Sequence, residues 1–284
     1  MPQLAFRQLI GANFSFQHFP FAFAAETMRG FGVAEIELWG IAQHLDLFHA
    51  SDARVEQVRR VLADNGLSLR CFTPEQVIYP INIASGDTGL RRDSIDRFRR
   101  GAYICAALGG RYLFLTPGRG FENEAPAAAW ARSVESLAEI AGHARTLGLR
   151  CLLEPLQRVE SNIVTCASDL HRLFTELDAD NVDIVLDTVA MATAGDTVAD
   201  YMRLFGERIA HVHVVDGTPS GHLVWGDGAL PLGRYIEELA AAGYAGTLTF
   251  EPFGNGSYAL DPVTAWRRNL DAIAPYLDRG TVTA

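Results

Sequence analysis

A basic excess is absent from this chain. The formal net charge is −10 over 284 residues. DNA and RNA need a cationic footprint for their phosphates, so nucleic acid is not an expected partner. No apolar run approaches the roughly 20 residues that a membrane helix requires, which removes the membrane as a partner. The opening sixteen residues lack a basic segment followed by a long apolar one. No secretory leader is therefore expected, and the chain is assigned to the cytoplasm. Cysteine is scarce: Cys71, Cys105, Cys151 and Cys166 are scattered with no C-x-x-C pair and read as reduced, buried thiols. No low-complexity linker or charge block splits the sequence, so residues 1–284 are expected to form a single domain.

What is present is a repeating unit of a short β-rich run, a loop and a helical pattern that often ends in glycine. Eight strand candidates occur, at 8–13, 34–39, 67–73, 111–116, 149–154, 182–187, 209–215 and 246–251. Helical patterns lie between them, for example at 91–110, 127–148 and 232–243, where apolar residues recur at three- and four-residue spacing. Gly66, Gly109, Gly148 and Gly243 stand where a left-handed helix stop is expected. Strand–helix alternation implies parallel strands joined by right-handed crossovers. Eight such units at this length predict an α/β fold, a single (β/α)8 TIM barrel. An open doubly wound sheet is the rival, but no glycine-rich fingerprint follows the first strand.

Several strands finish in a residue that a buried strand normally avoids. Strand five ends at Glu154, strand six at Asp187 and strand eight at Glu251, and strand seven carries His213. In a closed barrel the C-terminal strand ends surround one mouth, where active sites are built. Three carboxylates packed there repel one another and lose hydration, and a divalent cation removes both costs. One Mn²⁺ ion is the expected cofactor, and Mg²⁺, Co²⁺, Fe²⁺ or Zn²⁺ would suit the same donors. The segment HVHVVDG (211–217) puts His211 and His213 on one strand face. His213, nearer the mouth, is read as a ligand, and His211, one layer deeper, as a histidine that orients its neighbours or is merely satisfied.

Other polar residues surround this centre. Glu37 could bond a substrate hydroxyl or pair with a core arginine or histidine, and Trp39 follows it. Arg158 and Glu160 lie close behind Glu154, and a polar substrate is one reason to have them there. His222 sits in a turn-rich loop (217–233) long enough to form a lid. The GDG within that loop reads as a turn rather than as a phosphate cradle.

At these residues the chain resembles the xylose isomerase-like TIM-barrel superfamily of sugar isomerases and epimerases, which includes ketose 3-epimerases of the tagatose and psicose type and endonuclease IV. The resemblance covers nearly the whole chain. The Glu-Asp-His-Glu ligand pattern of ketose 3-epimerases falls on Glu154, Asp187, His213 and Glu251. A sugar-contacting glutamate six positions after the first ligand falls on Glu160. The stretches IELWG (36–40), TPE with YPINIASGD and RRDSID (73–96), LEPLQRVESNIV (153–164), HVHVVD (211–216) and GHLVWGDGALPL (221–232) are more specific, and are similar to fructoselysine 3-epimerases. Two positions depart from the ketohexose pattern: Ala190 and Pro219 stand where those epimerases often carry His and Arg. The fructoselysine type also lacks that His, which leans away from a plain ketohexose, and His222 matches a His of that type.

The resemblance implies a metal-dependent isomerase with a small-molecule sugar as its partner. It would epimerise C3 of a ketose or Amadori compound through an enediolate. Glu154 and Glu251 would be the catalytic carboxylates, and Glu37, Trp39, Arg158, Glu160 and His222 would contact substrate. A homo-oligomer is left open. The first alternative is a metal-dependent lyase or dehydratase acting on a keto-sugar or keto-acid with the same site. A sugar-binding barrel without turnover is the second. DNA repair is the third, and it lacks the extra histidines and basic face it needs.

Overall fold

The computed structural model describes residues 3–77 and 80–280. Eight parallel strands pair in chain order: β1 (Gly11–Ala12), β2 (Glu35–Gly40), β3 (Ser68–Pro74), β4 (Tyr112–Leu115), β5 (Arg150–Leu153), β6 (Val182–Asp187), β7 (Ile209–His213) and β8 (Thr247–Thr249). A parallel bridge between Leu9 and Leu248, with Ile10 N–H donating to Leu248 O at 2.9 Å, draws the first strand against the last. The eight strands fall within the expected segments, save that β2 and β3 each run one residue further. Most are shorter than expected, because pairing stops where the chain bends away at the rims.

The helices cover the outside: α1 (Phe21–Gly30), α2 (Asp52–Asp64), α3 (Thr88–Ala107), α4 (Pro126–Thr146), α5 (Ala167–Leu177), α6 (Thr188–Ala194), α7 (Val198–Phe205), α8 (Leu232–Ala241) and α9 (Pro262–Ile273). Local chemistry sets their ends. Asp87 accepts from Leu90 N–H and starts α3 three residues ahead of the apolar pattern. Gly66, Gly109, Gly148 and Gly243 all take positive φ, between 63° and 74°, in the turns beyond α2, α3, α4 and α8.

Strand alternation divides the core. Ile36, Leu38, Val212 and Leu248 belong to the large cluster packed between strands and helices. Cys71, Tyr112, Phe114, Leu152 and Val185 form a separate apolar cluster within the ring. The other side of the interior is polar: Glu37, His211, His213 and Thr247 are buried there.

Loops at the C-terminal mouth are laced together. Asn82, after β3, accepts from Arg119 N–H at 3.0 Å and donates to Arg119 O at 2.8 Å. Asn162, after β5, makes the same pair of bonds to Gly120, at 2.8 and 3.1 Å. The long loop after β7 is organised from inside. The Asp216 carboxylate accepts N–H bonds from Gly217, Gly226, Gly228 and Leu230 at 2.8–3.1 Å. The loop expected to be a lid is thus anchored, and its GDG is a turn around a buried carboxylate.

Candidate active site

Glu154 directly follows β5, Asp187 ends β6, His213 ends β7, and Glu251 lies two residues beyond β8. One donor atom from each lies within 4.8 Å of all the others. His213 Nδ1 is 2.9 Å from Glu154 Oε1 and 3.2 Å from Glu251 Oε2. Even so, His213 Nδ1, Glu154 Oε1 and Asp187 Oδ2 are buried without a hydrogen-bond partner among the described residues. These atoms converge on a shared space. Asp187 divides its labour: Oδ1 caps α6 by accepting from Ala190 N–H at 2.6 Å, and this leaves Oδ2 for the cluster.

The electrostatics pose the same requirement. Burial pushes the carboxyls of Glu154 and Asp187 up, and Glu251 adds like-charge repulsion to both. Burial opposes the imidazolium of His213, but the carboxylates of Glu251, Glu37 and Glu154 hold that ring well above its ordinary value. The metal-free cluster therefore keeps protons that a divalent cation would displace. Three carboxylates and one imidazole, dehydrated and convergent, fit such an ion.

His213 is oriented from behind. Glu37 Oε2 is 3.1 Å from His213 Nε2 and 3.0 Å from His211 Nε2. Burial works against the Glu37 charge, yet His213 and the bonds from both histidines hold its carboxyl well below the usual range. An ionised carboxylate only accepts, so both Nε2 atoms carry hydrogen. His213 then directs Nδ1 at the cluster. His211 Nδ1 is left to accept from the Thr247 hydroxyl at 2.7 Å, and Thr73 donates to the other Glu37 oxygen.

A cavity of about 240 Å³ opens on the cluster. Its polar lining includes Glu75, Glu154, Glu160, Asp187, His222 and Glu251, and its aromatic lining is Phe14, Trp39, Phe114 and Phe253. Phe114 stacks on the His213 ring, with centroids 5.2 Å apart and planes 4° from parallel. Trp39 meets Phe253 edge-on at 5.3 Å. His222 takes an unusual positive φ of 46°, and its carbonyl accepts from Phe253 and Gly254 N–H at 2.9 and 2.8 Å. That places Nε2 3.5 Å from Glu251 Oε2.

Of the expected substrate contacts, Trp39, Glu160 and His222 line this cavity, and so does Ala190. Glu37 does not; it is fully buried beneath the cluster, paired with histidines. Arg158 also stands apart, on the rim with its side chain 60% exposed and paired to Glu122. Trp39 apart, the aromatic lining escaped the sequence reading, as did the Asp216 hub. Phe253, two residues past Glu251, was marked by its strand-end position; Phe14 carried no such signal.

The xylose isomerase-like TIM barrel family matches residues 21–276. Fructoselysine 3-epimerase of Escherichia coli O157:H7 is 26% identical over 237 residues, covering 83% of this chain and 86% of that protein. L-ribulose 3-epimerase of Mesorhizobium japonicum is 30% identical over 194 residues, covering 66% of this chain and 64% of that one. Both relatives are sugar 3-epimerases, which are isomerases. Among solved structures, 3-keto-D-glucoside 4-epimerase from E. coli in its apo form superposes with a TM-score of 0.79 at 20% identity, over 94% of this chain and 99% of that one. With its eight parallel strands and its matched span, the chain belongs to the xylose isomerase-like TIM barrel family.

Proposed function

We propose that this protein is a divalent-metal-dependent sugar epimerase acting at C3 of a ketose or of an amine-linked ketose such as fructoselysine. One observation carries the reading: buried, unpartnered donor atoms of Glu154, Asp187 and His213 converge with Glu251 beneath a cavity sized for a small molecule. The names of the curated relatives support the reaction class. Composition supports the route, because all 24 Lys+Arg residues are arginine, so no lysine can form an imine with the keto group.

Glu154, Asp187, His213 and Glu251 would hold Mn²⁺ or a similar hard cation. When bound, it would polarise the C2 carbonyl and neutralise charge on the adjacent oxygens. The remaining work belongs to side chains. One of Glu154 and Glu251 removes the C3 proton, giving an enediolate, and the other delivers a proton to the opposite face. Trp39, Phe14 and Phe253 cover the apolar face of the sugar and exclude water. Glu160 and His222 bond its hydroxyls. Ala190 presents only a methyl group to the cavity and leaves room beside the sugar for a substituent.

The test is C3–H exchange and product analysis in D₂O, with fructose and fructoselysine as substrates and Mn²⁺ added. The reading expects a C3 epimer carrying deuterium at C3. A product with a new double bond would establish the lyase alternative. Absence of C3 exchange on every substrate would refute the epimerase.

A further inference from the structure

A groove leaves the catalytic cavity among the loops that follow β3, β4 and β5. It shares Gln76, Thr116, Leu156 and Glu160 with the cavity and runs past Asn82 and Ser85 to Arg119. Its volume is about 270 Å³, as large as the cavity itself. A free ketose seated on the metal cluster has no atoms to place there.

The groove is ordered by charge. Glu160 stands at its junction with the cavity. At the far end two guanidinium groups share one acid: Glu122 accepts from Arg119 Nη2 at 2.7 Å and from Arg158 Nη1 and Nη2 at 2.9 and 2.5 Å. The next acid, Glu124, is taken by Arg132 at 2.6 Å. At this end Arg119, Arg132 and Arg158 face two acids, Glu122 and Glu124, so one guanidinium charge is left over. Between these ends Ile81, Leu90, Phe121 and Leu156 give an apolar stretch.

The groove is also preformed. The asparagine pair fixes the backbone of Arg119 and Gly120 from both sides. Arg119 Nη1 donates to Val159 O at 2.8 Å, which holds the guanidinium against the loop bearing Glu160. Acid, apolar wall and paired guanidiniums follow one another in the order of ammonium, methylenes and carboxylate in a sugar joined through an amine to an amino acid.

We propose that this groove binds the non-sugar half of such a conjugate. The linking ammonium lies beside Glu160, the methylenes run along Leu156 and Ile81, and the terminal carboxylate meets Arg119 and Arg158. The proposal rests on the epimerase reading and adds the part of the substrate which that reading leaves unplaced.

Two probes test it: fructosyl-6-aminohexanoate, which ends in a carboxylate, and fructosyl-pentylamine, which ends in a methyl group. The quantity read is the ratio of their kcat/KM values for C3 epimerisation, with the ratio of their Kd values by calorimetry alongside. Wild type should favour the carboxylate probe. Arg119→Gln should lower that preference about tenfold, as expected for loss of a charge-assisted bond, mainly through KM, and Arg119→Lys should restore part of it. If Arg119→Gln fails to fold, Arg158→Gln supplies the same comparison, since its side chain is more exposed. Equal use of the two probes by wild type, or an unchanged ratio in the variants, overturns the groove assignment while epimerisation stands. If neither probe turns over, the calorimetric ratio decides the groove alone, and C3 exchange on free fructose tests the epimerase reading separately.

Discussion

Replacing Glu37 separates the two things its carboxylate does. It balances the charge behind His213, and it accepts hydrogen bonds from two buried imidazoles. Glu37→Gln keeps the shape. Its amide oxygen can face the two Nε2–H groups, 3.0 and 3.1 Å away, while its NH₂ faces Thr73, whose hydroxyl can rotate to accept. Fold stability should therefore change little. The negative charge is gone, so the His213 ring becomes a weaker donor and its orientation less fixed. A partner of this kind contributes about 10–100-fold to metal affinity, or roughly 1.4–2.7 kcal/mol. Glu37→Leu removes the acceptor as well. Two buried N–H groups are then unsatisfied at about 1–3 kcal/mol each. The resulting loss of about 2–6 kcal/mol is a large share of the roughly 5–15 kcal/mol that holds a domain together. Metal affinity measured by chelator competition, and melting temperature of chelated protein, read the two effects apart. The reasoning is refuted if Glu37→Gln binds Mn²⁺ as wild type does, or if it destabilises the chelated protein as much as Glu37→Leu.

Four further outcomes are expected. Asp187→Asn should retain the α6 cap through its side-chain oxygen but lose most bound metal, measured by elemental analysis. Burial raises the folded-state pKa of Asp187 in metal-free protein, so its carboxyl weakens the fold increasingly as pH rises above the ordinary aspartate value of about 3.8. Chelated Asp187→Asn should accordingly melt above chelated wild type, by a margin that grows as pH rises from there; an inverted trend would contradict the burial of an uncompensated charge. Glu154→Gln and Glu251→Gln should each lower epimerisation at least about 10²–10⁴-fold at matched metal occupancy, and one of the two variants should still exchange the C3 proton of a single epimer; near wild-type rates in both would move the base elsewhere. Burial pushes the thiols of Cys105 and Cys151 up to about 12 and raises that of Cys71 as well, whereas Cys166 is partly exposed. A thiol-titrating reagent should count one group in native protein and four after denaturation; three or four native equivalents would mean that the core opens.

The sequence exposed whatever follows a local period. Alternation along β7 put His211 and His213 on one face. Acidic residues at strand ends marked the mouth, and glycines at helix stops proved to have positive φ. What it hid were pairings across the ring. Glu37 and His211 are 174 positions apart, and nothing local to either says that they meet. Arg158 shows the other blind spot. Its chain position is beside Glu154, but a loop has no period to aim a side chain, and this one reaches Glu122 on the neighbouring loop. The Asp216 hub was hidden for the same reason, since four backbone N–H groups leave no mark in side-chain composition.

That hub divides the molecule into what chemistry must keep and what evolution can spend. The loop after β7 takes its shape from one internal acceptor, and a Cβ at Gly228 would come within 2.3 Å of it, so this inner framework tolerates little change. Asp227 ties the loop to Tyr258 and Arg268, but His222 takes no part in those bonds or in the hub. An exchange at His222 alters what the cavity meets, and the candidate metal donors lie at strand ends outside this loop. New substrate preference is thus reachable by single substitutions, with no insertion or deletion and no intermediate that has lost its catalytic centre.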